Sequence, residues 1–172
     1  MNILIGNIVS LIASSVMVIS GYVKSKKSTL SWSTLEAILF TITDIILGAF
    51  SGAVVNILSI PRNILILKGK INFPLKLFFS LTPAIISILF LHDGWLGMIP
   101  VIGMALFIML ADKLDGAKFK MLIIIVMLFW SFYDFCMKNY VSVFFDIAMI
   151  IAAIIAIARI QHDKKFEKDH CN

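Results

Sequence analysis

Apolar residues fill seven blocks of the chain, at roughly 3–22, 31–49, 52–68, 73–91, 95–111, 120–137 and 141–160, and the charged residues collect between them. A helix needs about 20 predominantly apolar residues to cross a hydrocarbon core of about 30 Å, so each block predicts one membrane span. The break between the second and third blocks rests on Gly48-Ala49-Phe50-Ser51-Gly52. Without it residues 31–67 would form a single helix of roughly 55 Å, far longer than a bilayer core. The small residues predict a tight turn there. In the fourth block, Pro74 suits a helix start and Pro83 predicts a kink in the middle.

Composition agrees with lipid as the solvent. Of 172 residues, 60% are hydrophobic and 15% charged, with a mean hydropathy of +1.01, whereas a soluble domain carries about 25% charged residues. Too few charges remain to coat a water-soluble globule, and no separate soluble domain fits beside seven spans. The first charge is Lys24, so the start of the chain lacks the basic region of a cleavable signal, and residues 3–22 predict a retained span. Cys136 and Cys171 are too few for a disulfide framework and have no zinc or redox spacing.

The distribution of Lys and Arg then orients the helices. With seven spans, one side holds Lys24, Lys26, Lys27, Lys68, Lys70, Lys76, Lys113, Lys118, Lys120, Arg159, Lys164, Lys165 and Lys168, and the other holds only Lys138. The positive-inside rule therefore predicts an external N-terminus and a cytoplasmic C-terminus. The net charge of +5 follows from this topology and from anionic headgroups at the inner leaflet, without nucleic-acid binding.

An ungapped shift of 90 residues superposes the first three blocks on the last three. It brings Asp44 onto Asp134 and Asn56 onto Asp146, with matching loop lengths. Three helices, one connecting helix and three more make the two halves parallel in the membrane, as in carriers built from parallel repeats. The fold expected is an all-α integral membrane protein with seven transmembrane helices in a 3+1+3 arrangement. Residues 3–70 form the first three-helix repeat, 71–92 the linker helix, 93–161 the second repeat and 162–172 a cytoplasmic tail.

The segment GAFSGAVVNILSIPRN at 48–63 and the segment IPVIGMALF at 99–107 resemble the YgjV-like family of bacterial inner-membrane proteins. The likeness covers nearly the whole chain. It rests on the small-residue turn, Asn56, Arg62-Asn63 and Pro100-Val101-Ile102-Gly103. The family resembles SWEET and PQ-loop (MtN3-like) transporters at a distance, which implies triple-helix bundles and a multi-pass location in the bacterial cytoplasmic (inner) membrane. The chain departs from that pattern in having no Pro-Gln dipeptide, and Ser10 stands where the repeat would match Pro100.

Ionisable residues inside a membrane are costly, at least about 2.5–3.5 kcal/mol for a central Asp on insertion scales, and usually face a cavity or a partner. Asp44, Asn56, Asp134 and Asp146 each fall a turn or two from the external end of their helices, in one layer roughly 6–9 Å deep. With Asn63 and Trp130 they are the expected solute-binding residues. Asn56, Ser59 and Asn63 form a stripe on the third helix, Trp130 and Asp134 share a face of the sixth, and Ala148, Ala152 and Ala156 form a small-residue ridge on the seventh. Glu36 and Arg62 are the expected ion pair or gate. Arg62 could instead snorkel to the headgroups, the outer acids could simply reach water, and the polar set could be a hydrogen-bond network joining the helices.

Enzyme chemistry has little footing. His92 and Asp93 are adjacent without an arranged nucleophile, His162, His170 and Cys171 are too loosely placed for a metal site, and no phosphate-binding glycine loop occurs. No cofactor is expected. The function expected is a small-solute transporter working by alternating access. The alternative is a non-transporting membrane receptor or assembly module using the same cavity. The partners implied are the lipid bilayer and a small solute, with proton coupling and a homo-oligomer left open.

Overall fold

The computed structural model describes residues 2–47, 50–90, 96, 98–136 and 140–170. Its elements are α1 (Asn2–Tyr22), α2 (Lys26–Leu47), α3 (Phe50–Leu67), α4 (Phe73–Phe90), α5 (Met98–Leu110), α6 (Gly116–Cys136) and α7 (Tyr140–His170). Among the described residues no strand occurs. Among the described residues seven α-helices stand where seven apolar blocks were expected. Of these, α6 over Gly116–Tyr133 and α7 over Ser142–Asp163 carry apolar stretches long enough to cross a bilayer. Shorter apolar stretches occur at Ile8–Tyr22, Val55–Leu67, Phe73–Ile86 and Val101–Leu110.

Helix ends differ from block ends because apolarity marks where lipid stops, whereas the backbone stops at a cap. Ser25 accepts the Ser28 N–H through Oγ at 3.0 Å, so α2 begins several residues before its apolar block. Asn72 caps α4 in the same way, its Oδ1 accepting from the Leu75 N–H at 3.1 Å. α3 is closed off by Gly69, two residues past its end, whose φ of 61° is the left-handed conformation that glycine adopts without a Cβ clash. The Gly69 N–H donates to the Ile66 carbonyl and the Lys70 N–H to the Leu65 carbonyl, which satisfies carbonyls left open at the helix end. α7 runs past its apolar stretch, so much of the expected tail is helical.

Each helix packs against its successor, and α7 returns to pack against α1, so the packing pairs form a closed ring in chain order. The α3–α4 seam is the least extensive. The closing α1–α7 seam is tight because Gly21 meets the ridge of α7. A Cβ there would lie 2.5 Å from Met149 Sδ, 2.9 Å from the Met149 carbonyl and 3.2 Å from Ala152 Cβ. Ala152 and Ala156 are buried along this ridge, and the Arg159 guanidinium stacks over the Tyr22 ring at 4.5 Å.

The outside of the ring is apolar. Leu35, Ile38, Ile42 and Ile45 are exposed on α2, Leu81, Ile85 and Ile88 on α4, and Ile147, Ile151 and Ile154 on α7. That much exposed aliphatic surface would be an association hazard in water and suits hydrocarbon. Inside, Met17, Leu30, Ile66, Ala111, Phe119, Leu122, Ile123, Val126 and Met149 pack into one buried cluster. Most of its members lie toward the ends of α1, α2, α3, α5 and α6 where the lysine-rich connections gather.

Candidate functional site: a polar interior above an apolar plug

The polar residues of α2, α3 and α7 turn away from the apolar outer surface. At about 100° per residue, Glu36 lies roughly 140° around α2 from the centre of its exposed stripe. On that side Thr43 is buried, while Glu36 is half-buried. On α3, Ile57, Pro61 and Ile64 face outward, and Ser59, Arg62, Asn63 and Ile66 are buried on the opposite side. On α7, Asp146 is buried, roughly 105° from the centre of the outward stripe. Half-buried Asn56 lies two turns from Asn63 toward the N-terminal end of α3.

Arg62 is 7% exposed, so it does not snorkel to the headgroups. Its Nε and Nη2 donate to Asn63 Oδ1 at 3.2 and 3.0 Å. Its Nη1 meets Met104 Sδ, and the guanidinium lies over the Phe107 ring at 4.9 Å. These contacts carry the cation from α3 across to α5. Glu36, Arg62 and Asp146 all lie on the inward sides of their helices, α2, α3 and α7. Among the described ion pairs none joins Glu36 to Arg62 directly. The hydroxyls of Thr43 and Ser59 donate to the carbonyls of Leu39 and Val55 in their own helices, at 3.1 and 3.0 Å.

Of the six residues expected to bind solute, Asn63 and Asp146 are buried in this interior and Asn56 borders it. Trp130 packs against the apolar cluster, with the Tyr133 ring edge-on at 6.3 Å. The side chains of Asp44 and Asp134 lie outside the described residues, although both positions fall within helices.

The lysine-rich end of the ring is tied shut by contacts that the sequence analysis does not anticipate. Lys24 pairs with Asp163. Lys26 pairs with Asp115 at 3.1 Å and donates to the Asp112 carbonyl at 3.2 Å. Lys76 donates to both oxygens of Asp112, each at 2.7 Å. Lys26–Asp115 joins the first half to the second, Lys76–Asp112 the connecting helix to the second half, and Lys24–Asp163 the first half to the tail that continues α7. Lys120 is fully buried, and its Nζ donates to the Ser20 and Gly21 carbonyls at 2.8 and 3.0 Å and to Thr29 Oγ1 at 2.7 Å. Those carbonyls belong to the last turn of α1, the negative end of the helix dipole, where a cation is favoured. The one sequence signal for this role is that Lys120 opens an apolar block.

A model of the Imp-YgjV family, described as bacterial inner membrane protein, matches residues 4–164. No curated protein and no solved structure matches the chain.

Proposed function

The chain belongs to the Imp-YgjV family of bacterial inner membrane proteins, and on that footing we propose that it is a small-solute transporter of the cytoplasmic membrane. In this reading all seven helices span, with the N-terminus outside and the C-terminus in the cytoplasm. The halves at 3–70 and 93–161 rock about the linker at 71–92. The supporting observation is the vertical order of the interior. Polar groups on α2, α3 and α7 lie above an apolar plug, and the plug lies above lysine–aspartate ties that join the first half and the linker to the second half. A membrane protein that buries Arg62 and Asp146 and half-buries Glu36 on the inward sides of its helices carries a large desolvation cost, and a solute pathway gives these groups a use. Opening the inner side would separate Lys26 from Asp115 and Lys76 from Asp112 while the outer side closes.

The test is a thermal-shift screen of small metabolites on the purified protein, followed by counterflow of each radiolabelled hit in proteoliposomes. The expected result is counterflow that is lost in Asn56→Leu and in Asp146→Leu, the pair equated by the 90-residue shift, while both variants stay folded. Counterflow that persists unchanged in both would remove these residues from the pathway. Binding without counterflow would favour a receptor or assembly module.

A further inference from the structure

A groove of about 350 Å³ runs along the α1–α7 seam, lined by Val18, Ile19 and Tyr22 from α1 and by Ala148, Ile151 and Ile155 from α7. Its walls are apolar throughout. Ile19, Tyr22, Ile151 and Ile155 are all exposed, so the groove opens on the outside of the ring and is separate from the polar interior. Small residues make it. Gly21 draws α1 against Met149 and Ala152, while Ala148 and Ala152 carry too little side chain to fill the space between the larger rims. Such walls gain dispersion contacts from hydrocarbon and offer a polar group nothing.

The groove ends at a cation. Tyr22 is one of its walls, and the half-buried Arg159 holds its guanidinium over the Tyr22 ring at 4.5 Å. At about 100° per residue, Ala148, Ile155 and Arg159 fall within about 40° of one line on α7. At about 1.5 Å per residue, Arg159 is roughly 16 Å along that line from Ala148, close to half of a hydrocarbon core of about 30 Å and so to the depth of one leaflet. The ring takes the cation without accepting any of its five N–H donors. Among the described residues no carboxylate pairs with Arg159, and Asp163, one turn further along α7, is engaged by Lys24.

We infer that this groove binds an anionic phospholipid, one acyl chain lying between α1 and α7 and the phosphate held by Arg159. The apolar walls match the chain, and the planar fork of a guanidinium matches two phosphate oxygens. Net charge selects the anionic headgroup. Lys24 and Asp163 offset each other, which leaves the charge of Arg159 at the mouth of the groove, with the exposed Lys27 and Lys165 nearby in sequence. A second copy of the chain fits less well, because the outer faces it could lay in the groove are aliphatic and bring no anion to Arg159. The lysine-rich end of the ring is the end where the anionic headgroups of an inner leaflet would lie. The site is independent of the interior and stands whether or not the protein transports a solute.

The experiment titrates the full-length protein in detergent with dioleoylphosphatidylglycerol or dioleoylphosphatidylcholine and reads bound lipid by native mass spectrometry. The chains of the two lipids are identical, so a difference between them reports the headgroup. The expected result is one phosphatidylglycerol retained per chain, with phosphatidylcholine held at least about fivefold more weakly. Arg159→Gln should erase that preference with helical content retained by circular dichroism. Lys165→Gln, about 120° around α7 from Arg159, should leave it intact. Ala148→Leu fills the groove and should weaken the binding of both lipids. If Ala148→Leu does not fold, the comparison of Arg159→Gln with Lys165→Gln still decides the matter. Equal retention of the two lipids, a preference unchanged in Arg159→Gln, or equal losses in Arg159→Gln and Lys165→Gln would overturn the inference. A lipid-free dimer that Ala148→Leu dissociates would also overturn it, by giving the groove to a second copy.

Discussion

Lys120 shows how one side chain can tie three helices while looking ordinary in the sequence. Its ammonium closes two carbonyls at the end of α1 and reaches Thr29 on α2 from its own place on α6. Lys120→Met keeps the length of the side chain and removes a buried charge, which by itself would be favourable. It also leaves two buried helix-end carbonyls without that donor, at roughly 1–3 kcal/mol each, and removes the dipole contact. The second effect is larger because the ammonium already has three oxygen acceptors that offset its desolvation. We expect a loss of about 2 kcal/mol, read as a lower melting temperature in detergent, and an unchanged or higher value would show that the three contacts are dispensable. At this scale the sequence was partly legible. Burial of Asn63 and Asp146 could be read from polar residues inside apolar blocks. The inward turn of Arg62 onto Asn63 and Phe107 could not, because snorkelling and pairing predict the same residue at the same depth. Nor could the lysine–aspartate ties, because Asp112 and Asp115 are loop acids until the ring brings Lys76 and Lys26 to them.

The helices themselves were the most legible part, because a run of apolar residues in a membrane has to be helical to satisfy its backbone. Their ends were less so. α2 starts at Lys26 and α6 at Gly116, and α7 reaches His170, since backbone hydrogen bonding continues through polar turns beyond the apolar blocks. Neighbour relations were not visible at all in the pattern of blocks, with one exception. The ridge Ala148, Ala152 and Ala156 called for a closely packed partner, and its partner is Gly21 on α1. Gly21→Ala should therefore act on the α1–α7 seam. The added Cβ meets the Met149 carbonyl at 2.9 Å and Ala152 Cβ at 3.2 Å, and backbone cannot swing aside as a methionine side chain can. Overpacking of this kind costs about 1–3 kcal/mol. The expected outcome is a lowered melting temperature with helical content retained by circular dichroism, and a larger side chain, as in Gly21→Leu, should be worse. A melting temperature unaffected by Gly21→Leu would mean that α1 and α7 do not meet there.

For the whole molecule, the ring joins two facts that were separate in the sequence: where the cations lie and where the interior is closed. The residues assigned to the cytoplasmic side by charge are those that tie the ring, through Lys24 to Asp163, Lys26 to Asp115 and Lys76 to Asp112. The ties gather the connections α1–α2 and α5–α6, the start of α4 and the far part of α7 at one end. Sidedness is therefore a property of the whole chain, and reversing it would put the polar interior toward the cytoplasm. The chain offers its own reporters, since Cys136 ends α6 and Cys171 follows α7. With the N-terminus outside, a membrane-impermeant maleimide should label Cys136 in intact spheroplasts of a Cys171→Ser variant. It should label Cys171 in a Cys136→Ser variant only after lysis. Cys136 is half-buried, so slow labelling there is checked with the exposed positions Lys118 and Lys165. In a cysteine-free background, Lys118→Cys and Lys165→Cys should stay unlabelled in spheroplasts and react in inverted vesicles. Reaction of Lys118→Cys from outside would reverse the orientation. The lysine–aspartate ties would then close the periplasmic face, and the polar interior around Arg62 and Asn63 would open inward.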